Sequence, residues 1–304
     1  MLPSYLETYR RGALDERLFR LYQILQSCEL CPRRCHKNRL DGEERFCQMG
    51  EEDPLVGRGR LLGVGGSGTI LLTGCNLGCA YCQNYDISHL KRGSPVSPEE
   101  LSGGMIELQR LGCHNINFVT PTHFVPQLVK ALKFAIEEGL NIPIVYNCGG
   151  YENVTTIKLL EGIVDIYMPD MKYSDARTVK LYSNAPDYFD RCCEAVKEMH
   201  RQVGDLKLDD AGIAQMGVLT RHLILPNDTA GSHEVFKFIA EESSKDAFVN
   251  IMFQYRPLFR AFEYQDINRR SSLEEYRRAI EMAVDFGLHR GFEVNQRIDT
   301  NTDL

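Results

Sequence analysis

The stretch "TILLTGCNLGCAYCQNYDIS" (residues 69–88) joins a short apolar run, Thr69–Thr73, to three cysteines, Cys75, Cys79 and Cys82. The run suits a buried parallel strand. The cysteines that follow have the spacing C-x₃-C-x₂-C, which is a nest for an iron–sulfur cluster. A cube of four irons normally takes four thiolates, and here there are three. One iron is then left with open coordination. An open metal position binds and activates a ligand, whereas a closed one holds structure or carries electrons. The withheld thiolate therefore predicts a substrate at the metal. The other reading of these residues is a structural zinc loop completed by a nearby side chain such as His89.

Outward from this stretch the chain alternates. Further apolar runs occupy Ile116–Thr120, Pro143–Asn147, Val164–Met168, Val218–Leu225 and Phe248–Phe253. Helical stretches lie between and after them. One opens at Ser97, Pro98 and Glu100, which have the pattern of a capping box with proline in the first turn. Others lie near 124–138, 153–161, 187–203, 232–243 and 272–287. Such repetition predicts a parallel sheet with right-handed crossovers. Six units are too few for the closed eight-fold barrel, so the predicted α/β fold is an open, partial (βα)₆ barrel. Chemistry in such a sheet sits at the carboxyl ends of the strands, and the cysteine triad follows the first strand.

Ahead of the first strand, residues 4–26 read as one amphipathic helix with Tyr5, Tyr9, Leu14, Leu18, Leu21 and Leu25 at helical spacing. A loop-rich segment, "CELCPRRCHKNRLDGEERFC", supplies Cys28, Cys31, Cys35 and Cys47. A Gly-rich connector from Gly57 to Gly68 reads as the seam to the main domain. The expected division is residues 1–56, a helix with a four-cysteine metal-binding appendage, and residues 57–304, the barrel. Four thiolates close a zinc site completely and serve a second 4Fe–4S cluster equally well.

Bulk properties narrow the field. The 304 residues carry 25% charged and 43% hydrophobic residues, ordinary for a soluble chain. A net charge of −7 argues against general nucleic-acid binding, and Asp41, Glu43 and Glu44 dilute the basic cluster of Arg33, Arg34, Lys37 and Arg39. There is no run long enough for a membrane span and no apolar signal core near the start. Eleven cysteines, seven of them in the two groups and Cys113, Cys148, Cys192 and Cys193 scattered, suggest metal or redox chemistry in a reducing compartment, and a cytoplasmic location is expected.

The triad, with Tyr81 before its last cysteine, resembles the radical S-adenosylmethionine (SAM) superfamily. The resemblance runs over residues 28–300 through "NINFVTPTHFVPQ", "VYNCGGYE", "VDIYMPDMKY", "RHLILPN" and "MFQYRP". It is strongest to pyruvate formate-lyase activating enzyme-like (PflX-type) proteins. It implies that a 4Fe–4S cluster on Cys75, Cys79 and Cys82 binds SAM at its fourth iron and cleaves it reductively to a 5′-deoxyadenosyl radical. That radical would take hydrogen from a protein or peptide substrate. The resemblance also implies roles for strand-end residues. Tyr81 would pack near adenine, and Thr120, Thr122 and His123 stand where relatives hold SAM's amino group. Asn147 replaces an aspartate, Lys172 would face SAM's carboxylate with Asp170 anchoring it, Arg221 would contact SAM, and Gln254 would lie near the substrate. A reducing partner such as flavodoxin or ferredoxin is implied. Two other activities stay open: modification of a small molecule or peptide product, and an iron–sulfur electron carrier or metal-binding interaction protein.

Neither a methyl-carrying cysteine after Cys193 nor a cobalamin fold in the first 60 residues is visible, so hydrogen abstraction is expected over methyl transfer.

Overall fold

The computed structural model describes residues 2–44, 46–50, 54–57 and 66–292. Most of the predicted Gly-rich seam, residues 58–65, lies outside the described residues. The strands are β1 (Leu55–Gly57), β2 (Ser67–Leu71), β3 (Gly93–Pro95), β4 (Asn115–Val119), β5 (Ile144–Cys148), β6 (Ile166–Pro169), β7 (Lys207–Leu208), β8 (Ala214–Leu223) and β9 (Phe248–Met252). Six of them form one parallel curved sheet in the order β2-β4-β5-β6-β8-β9. No pairing joins β9 back to β2 among the described residues, so the barrel is open. The short β7 pairs antiparallel with the start of β8, and β1 pairs antiparallel with β3.

The six strands overlap the six apolar runs. The central β4, β5 and β6 are largely buried and read as continuous hydrophobic sequence, whereas β2, β8 and β9 bury mainly alternate residues, and β8 starts four residues ahead of its run, at Ala214. The first begins two residues earlier than its run, at Ser67, and ends at Leu71, which leaves Thr73 to start the cysteine loop. Crossover helices lie where expected, including Pro98–Arg110, whose Ser97 and Glu100 make both bonds of a capping box. No helix among the described residues is long and apolar enough to cross a membrane.

The N-terminal segment departs from the single helix expected over 4–26. It forms Ser4–Arg10 and Ala13–Leu25, broken at Gly12, whose φ of 72° is left-handed. The break has a purpose in packing. The first helix is tied to the amino-terminal side of the sheet: Ser4 Oγ donates to Asp165, Tyr5 Oη to the Ile142 carbonyl at 2.9 Å, and Thr8 Oγ1 to the Gly162 carbonyl at 2.6 Å. The second helix, about 20 Å long at 1.5 Å per residue, then carries the chain to the carboxyl end. Tyr5, Leu14, Leu21, Leu25 and Leu30 are buried in one hydrophobic core with Ile116, Phe118 and Ile144 of the sheet.

Gly150, after β5, has φ 81°, and a Cβ there would stand 2.2 Å from the Asp170 carbonyl oxygen and 2.7 Å from the Cys192 sulfur. Gly139 is also left-handed (φ 94°), but nothing lies within 4 Å of its Cβ position. Urea unfolding should therefore separate them. Gly139→Ala should cost about 1 kcal/mol from backbone conformation alone, and Gly150→Ala about 3 kcal/mol or more because overpacking is added.

Candidate active site

The loop after β2 turns over the carboxyl end of the sheet through two left-handed glycines, Gly74 (φ 74°) and Gly78 (φ 69°). It is held in place by backbone: the Ala80 N–H donates to the Tyr182 carbonyl at 2.7 Å. Its sulfurs have polar company. The Leu77 N–H donates to Cys75 Sγ at 3.3 Å, Ser183 Oγ donates to Cys79 Sγ at 3.3 Å, and Cys82 Sγ lies 3.1 Å from Ser88 Oγ. Burial, with Cys79 adding, pushes the Cys75 thiol up to about 12, and the same two causes raise Cys82. These sulfurs shed their protons readily only to a metal. His89 Nε2 lies 3.2 Å from the Cys79 carbonyl, so that nitrogen is already engaged with backbone rather than directed at a metal.

All three cysteines line a cavity of about 330 Å³ at the strand ends, and so do Tyr81, Thr120, Asn147, Asp170, Lys172, Arg221 and Gln254. The cavity thus gathers residues from the ends of β4, β5, β6, β8 and β9 around the triad. Thr122 and His123 do not line it. The turn after Thr120 (φ 60°) directs them into the protein, where both are buried. Thr122 Oγ1 donates to Glu152 at 2.7 Å, and His123 Nε2–H donates to the Thr73 carbonyl at 2.6 Å.

The floor of the cavity is a charge cluster. Asp170 accepts from Lys172 Nζ at 2.5 Å and from Arg221 Nε at 2.7 Å, and Arg221 also donates to Asn147 Oδ1 at 2.7 Å. Burial alone would raise the Asp170 carboxyl, but Arg221 and Lys172 outweigh it and hold it below the ordinary range. Burial disfavours a charged Lys172, yet Asp170 and then Cys79 more than offset this, and its ammonium is raised above its usual value. One carboxylate between two cations leaves a net positive charge facing the cavity.

Sequence reading passed over Glu152 and Tyr188, and it noted Cys148 only as a buried strand-flanking cysteine close to the predicted SAM motif. Cys148 lines the cavity, and the Tyr188 hydroxyl lies 2.7 Å from the Asp170 carbonyl and 2.9 Å from that of Gly149. Glu152 is fully buried between Thr122 and Tyr146. An isolated glutamate beside "NCGGY" is the only signal of it in the sequence.

The N-terminal cysteines do not line the cavity; they pack behind the triad loop. Cys28 and Cys35 share a side-chain hydrogen bond, which raises Cys28 and lowers Cys35 to about 6. Burial pushes Cys31 up to about 12, with Cys47 adding to it. A Cβ on Gly74 would lie 2.5 Å from the Cys47 carbonyl, and one on Gly78 would lie 2.8 Å from the Phe46 ring. Arg33 donates to the Asn76 carbonyl at 2.9 Å and stacks 3.7 Å from the Phe46 centroid.

A family model described as the Radical SAM superfamily matches residues 69–239, more than half of the chain. The chain belongs to the radical SAM superfamily. An uncharacterized protein of Methanocaldococcus jannaschii is 33% identical over 298 residues, covering 93% of this chain and 82% of the relative. Among solved structures, HydG, a maturase of the FeFe-hydrogenase, superposes with a TM-score of 0.51 at 13% identity over 92% of this chain. Native anSMEcpe with bound AdoMet gives 0.47 at 14% identity over 73%. The chain spans 64% and 60% of those two proteins respectively.

Superfamily membership implies a 4Fe–4S cluster and SAM, and the triad fits the cluster. The three sulfurs line one cavity, and thiolates on a cube each meet a different iron.

Glu152 gives this region a pH signature. Burial raises its carboxyl from an ordinary 4.5 to about 7, against hydrogen bonds from Thr122 and Tyr146. The folded state then holds a proton that the unfolded state has released. Glu152 should therefore cost stability progressively as pH rises from 4.5 to about 7, by about 3 kcal/mol in all, with no further change from this group above that. Denaturation midpoints across this window should fall in the wild type and flatten in Glu152→Gln.

Proposed function

We propose that the chain cleaves SAM reductively and abstracts hydrogen from a protein or peptide, in the manner of the activating enzyme-like (PflX-type) group. The observation that carries this reading is the position of the Asp170–Lys172–Arg221 cluster in the same cavity as the three cysteines. When bound, the cluster and SAM would supply an electron and an adenosyl radical.

The chain's own residues supply binding and orientation. The net positive charge of the cluster suits SAM's carboxylate, with Lys172 and Arg221 as donors and Asp170 fixing both in place. Asn147 Oδ1 is committed to Arg221, so it positions that guanidinium rather than receiving a cation. Tyr81, wedged edge-on against Tyr173 and Tyr255, offers a rigid aromatic wall for the adenine. Thr120 stands at the β4 end for the amino group. Thr122 and His123 have no part in this reading, because they face away from the cavity.

Gln254 is exposed at the rim, where a second cavity of about 500 Å³ adjoins, lined by Gln83, Tyr255, Arg256 and Arg270. It lies at the open side of the barrel, which supports entry of a polypeptide loop. We place the reaction in the cytoplasm with a flavodoxin- or ferredoxin-class reductant, a setting that suits eleven free cysteines.

In reconstituted protein under strong reductant, slow abortive turnover should yield 5′-deoxyadenosine and methionine, and Cys79→Ala should abolish it. S-adenosylhomocysteine as the product would overturn hydrogen abstraction. Lys172→Met should weaken SAM binding about tenfold or more, the worth of one hydrogen bond to a charged group, as read from SAM's effect on the reduced cluster's paramagnetic spectrum.

A further inference from the structure

Cys28, Cys31, Cys35 and Cys47 are not used by the cavity, yet they are built as a ligand set. The spacing C-x₂-C-x₃-C-x₁₁-C keeps all four in one short segment. That segment folds back on itself: the Cys28 N–H donates to the Lys37 carbonyl at 2.9 Å, the His36 N–H to the Cys28 carbonyl at 3.1 Å and the Arg34 N–H to the Cys31 carbonyl at 3.1 Å, and Cys35 Sγ lies 3.8 Å from the Cys28 carbonyl. The turns are conformationally costly, with left-handed Arg34 (φ 37°), His36 (φ 52°) and Gln48 (φ 62°). In the triad loop such a turn brings the Leu77 N–H to Cys75 Sγ at 3.3 Å, and amides aimed at sulfur are among the features that set iron–sulfur potentials.

The second observation is where this set sits. The Cys47 carbonyl presses on Gly74, the neighbour of Cys75, and Phe46 presses on Gly78, the neighbour of Cys79. Arg33, two residues past Cys31, donates to the carbonyls of Asn76 and Leu77 at 2.9 and 3.4 Å, the two residues after Cys75. The two ligand loops thus touch backbone to backbone. Cys31, Cys35 and Cys47 are half-buried and Cys28 is buried.

We propose that Cys28, Cys31, Cys35 and Cys47 hold a second 4Fe–4S cluster that hands single electrons to the cluster on Cys75, Cys79 and Cys82. Its acceptor rests on the radical SAM reading above; its ligand set does not. A low-potential one-electron reductant of the flavodoxin or ferredoxin class reduces the outer cluster from the 2+ to the 1+ state. The outer cluster returns to 2+ as the inner one goes from 2+ to 1+, and no bond or proton changes hands. The segment is also tied to the rest of the protein by side chains. Asn153 Nδ2 already donates to the Glu29 carbonyl at 2.7 Å, Thr156 Oγ1 to that of Leu30 at 2.9 Å, and Arg39 to those of Gly50 and His123.

The test uses anaerobically reconstituted full chain and two variants. The triad variant, Cys75→Ala with Cys79→Ala and Cys82→Ala, should keep about four irons and four sulfides of the roughly eight each in wild type. Its reduced spectrum should ignore SAM. Zinc in place of that iron, or no metal, would overturn the proposal without reference to the other variant. The outer variant, with Cys28, Cys31, Cys35 and Cys47 changed to Ser, should keep the SAM-sensitive cluster. Its reduction by reduced flavodoxin, followed by stopped flow, should slow at least tenfold, while dithionite still reduces it. An unchanged flavodoxin rate would sink the relay. If SAM perturbs neither wild type nor the outer variant while the iron counts hold, the proposed function fails and the second cluster stands.

Discussion

The Asp170 carboxylate is the point from which the rest of the site is set. A charge this deeply buried costs several kcal/mol unless it is paired and hydrogen-bonded. Lys172, in the loop after β6, and Arg221, on β8, meet that requirement, and Arg221 extends it to Asn147 on β5. The ends of β5, β6 and β8 are therefore fixed relative to one another by electrostatics as well as by the sheet. The Tyr188 hydroxyl adds a second tie, accepting from the Lys172 N–H at 2.9 Å and sitting against the carbonyls of Asp170 and Gly149. Gly150 has no side chain because the Asp170 carbonyl occupies the space where one would go. The same cluster then meets whatever anion enters the cavity with a positive excess it did not have to spend on itself.

The central strands were legible because burial on both faces writes them as apolar runs, as in β5, and the Ser97 capping box marked its helix because caps are local chemistry. The triad was legible because metal spacing is local too. Features that depend on what a segment packs against were not. Residues 4–26 carry a continuous helical period, and only the left-handed Gly12 divides it. Glycine is compatible with both outcomes until the partners of Ser4, Tyr5 and Thr8 are known. Thr122 and His123 occupy the same turn as Thr120, so sequence position could not separate a residue facing the cavity from two facing the core. Glu152 had no pattern to mark it, since its burial depends on Thr122 and Tyr146 from two other segments.

The turn from Thr120 to His123 shows why that distinction matters. Thr120 faces the cavity while its neighbours brace the parts around it. Burial lowers the His123 imidazole to about 3, so the ring is neutral and its Nε2–H is free to hold the Thr73 carbonyl, at the root of the cysteine loop. The His123 carbonyl in turn accepts from Arg39 at 2.6 Å, and Arg39, itself buried, also grips Gly50. One turn thereby joins the first strand's exit, the N-terminal segment and, through Thr122 and Glu152, the end of β5.

This bracing explains how an N-terminal segment can matter to a cavity it never lines. Its first helix is anchored at the amino end of the sheet by Asp165 and Gly162, and its cysteines lie at the other end, behind the triad loop. A shift of the segment cannot be absorbed by slack, because Gly74 and Gly78 leave no room for even one extra carbon against Cys47 and Phe46. Movement at Cys47 must move Gly74, and Cys75 follows Gly74 directly. The position of Cys75 is therefore set jointly by β2 and by a loop some thirty residues earlier, and the cysteine spacing alone, compact as it is, describes only half of what holds it.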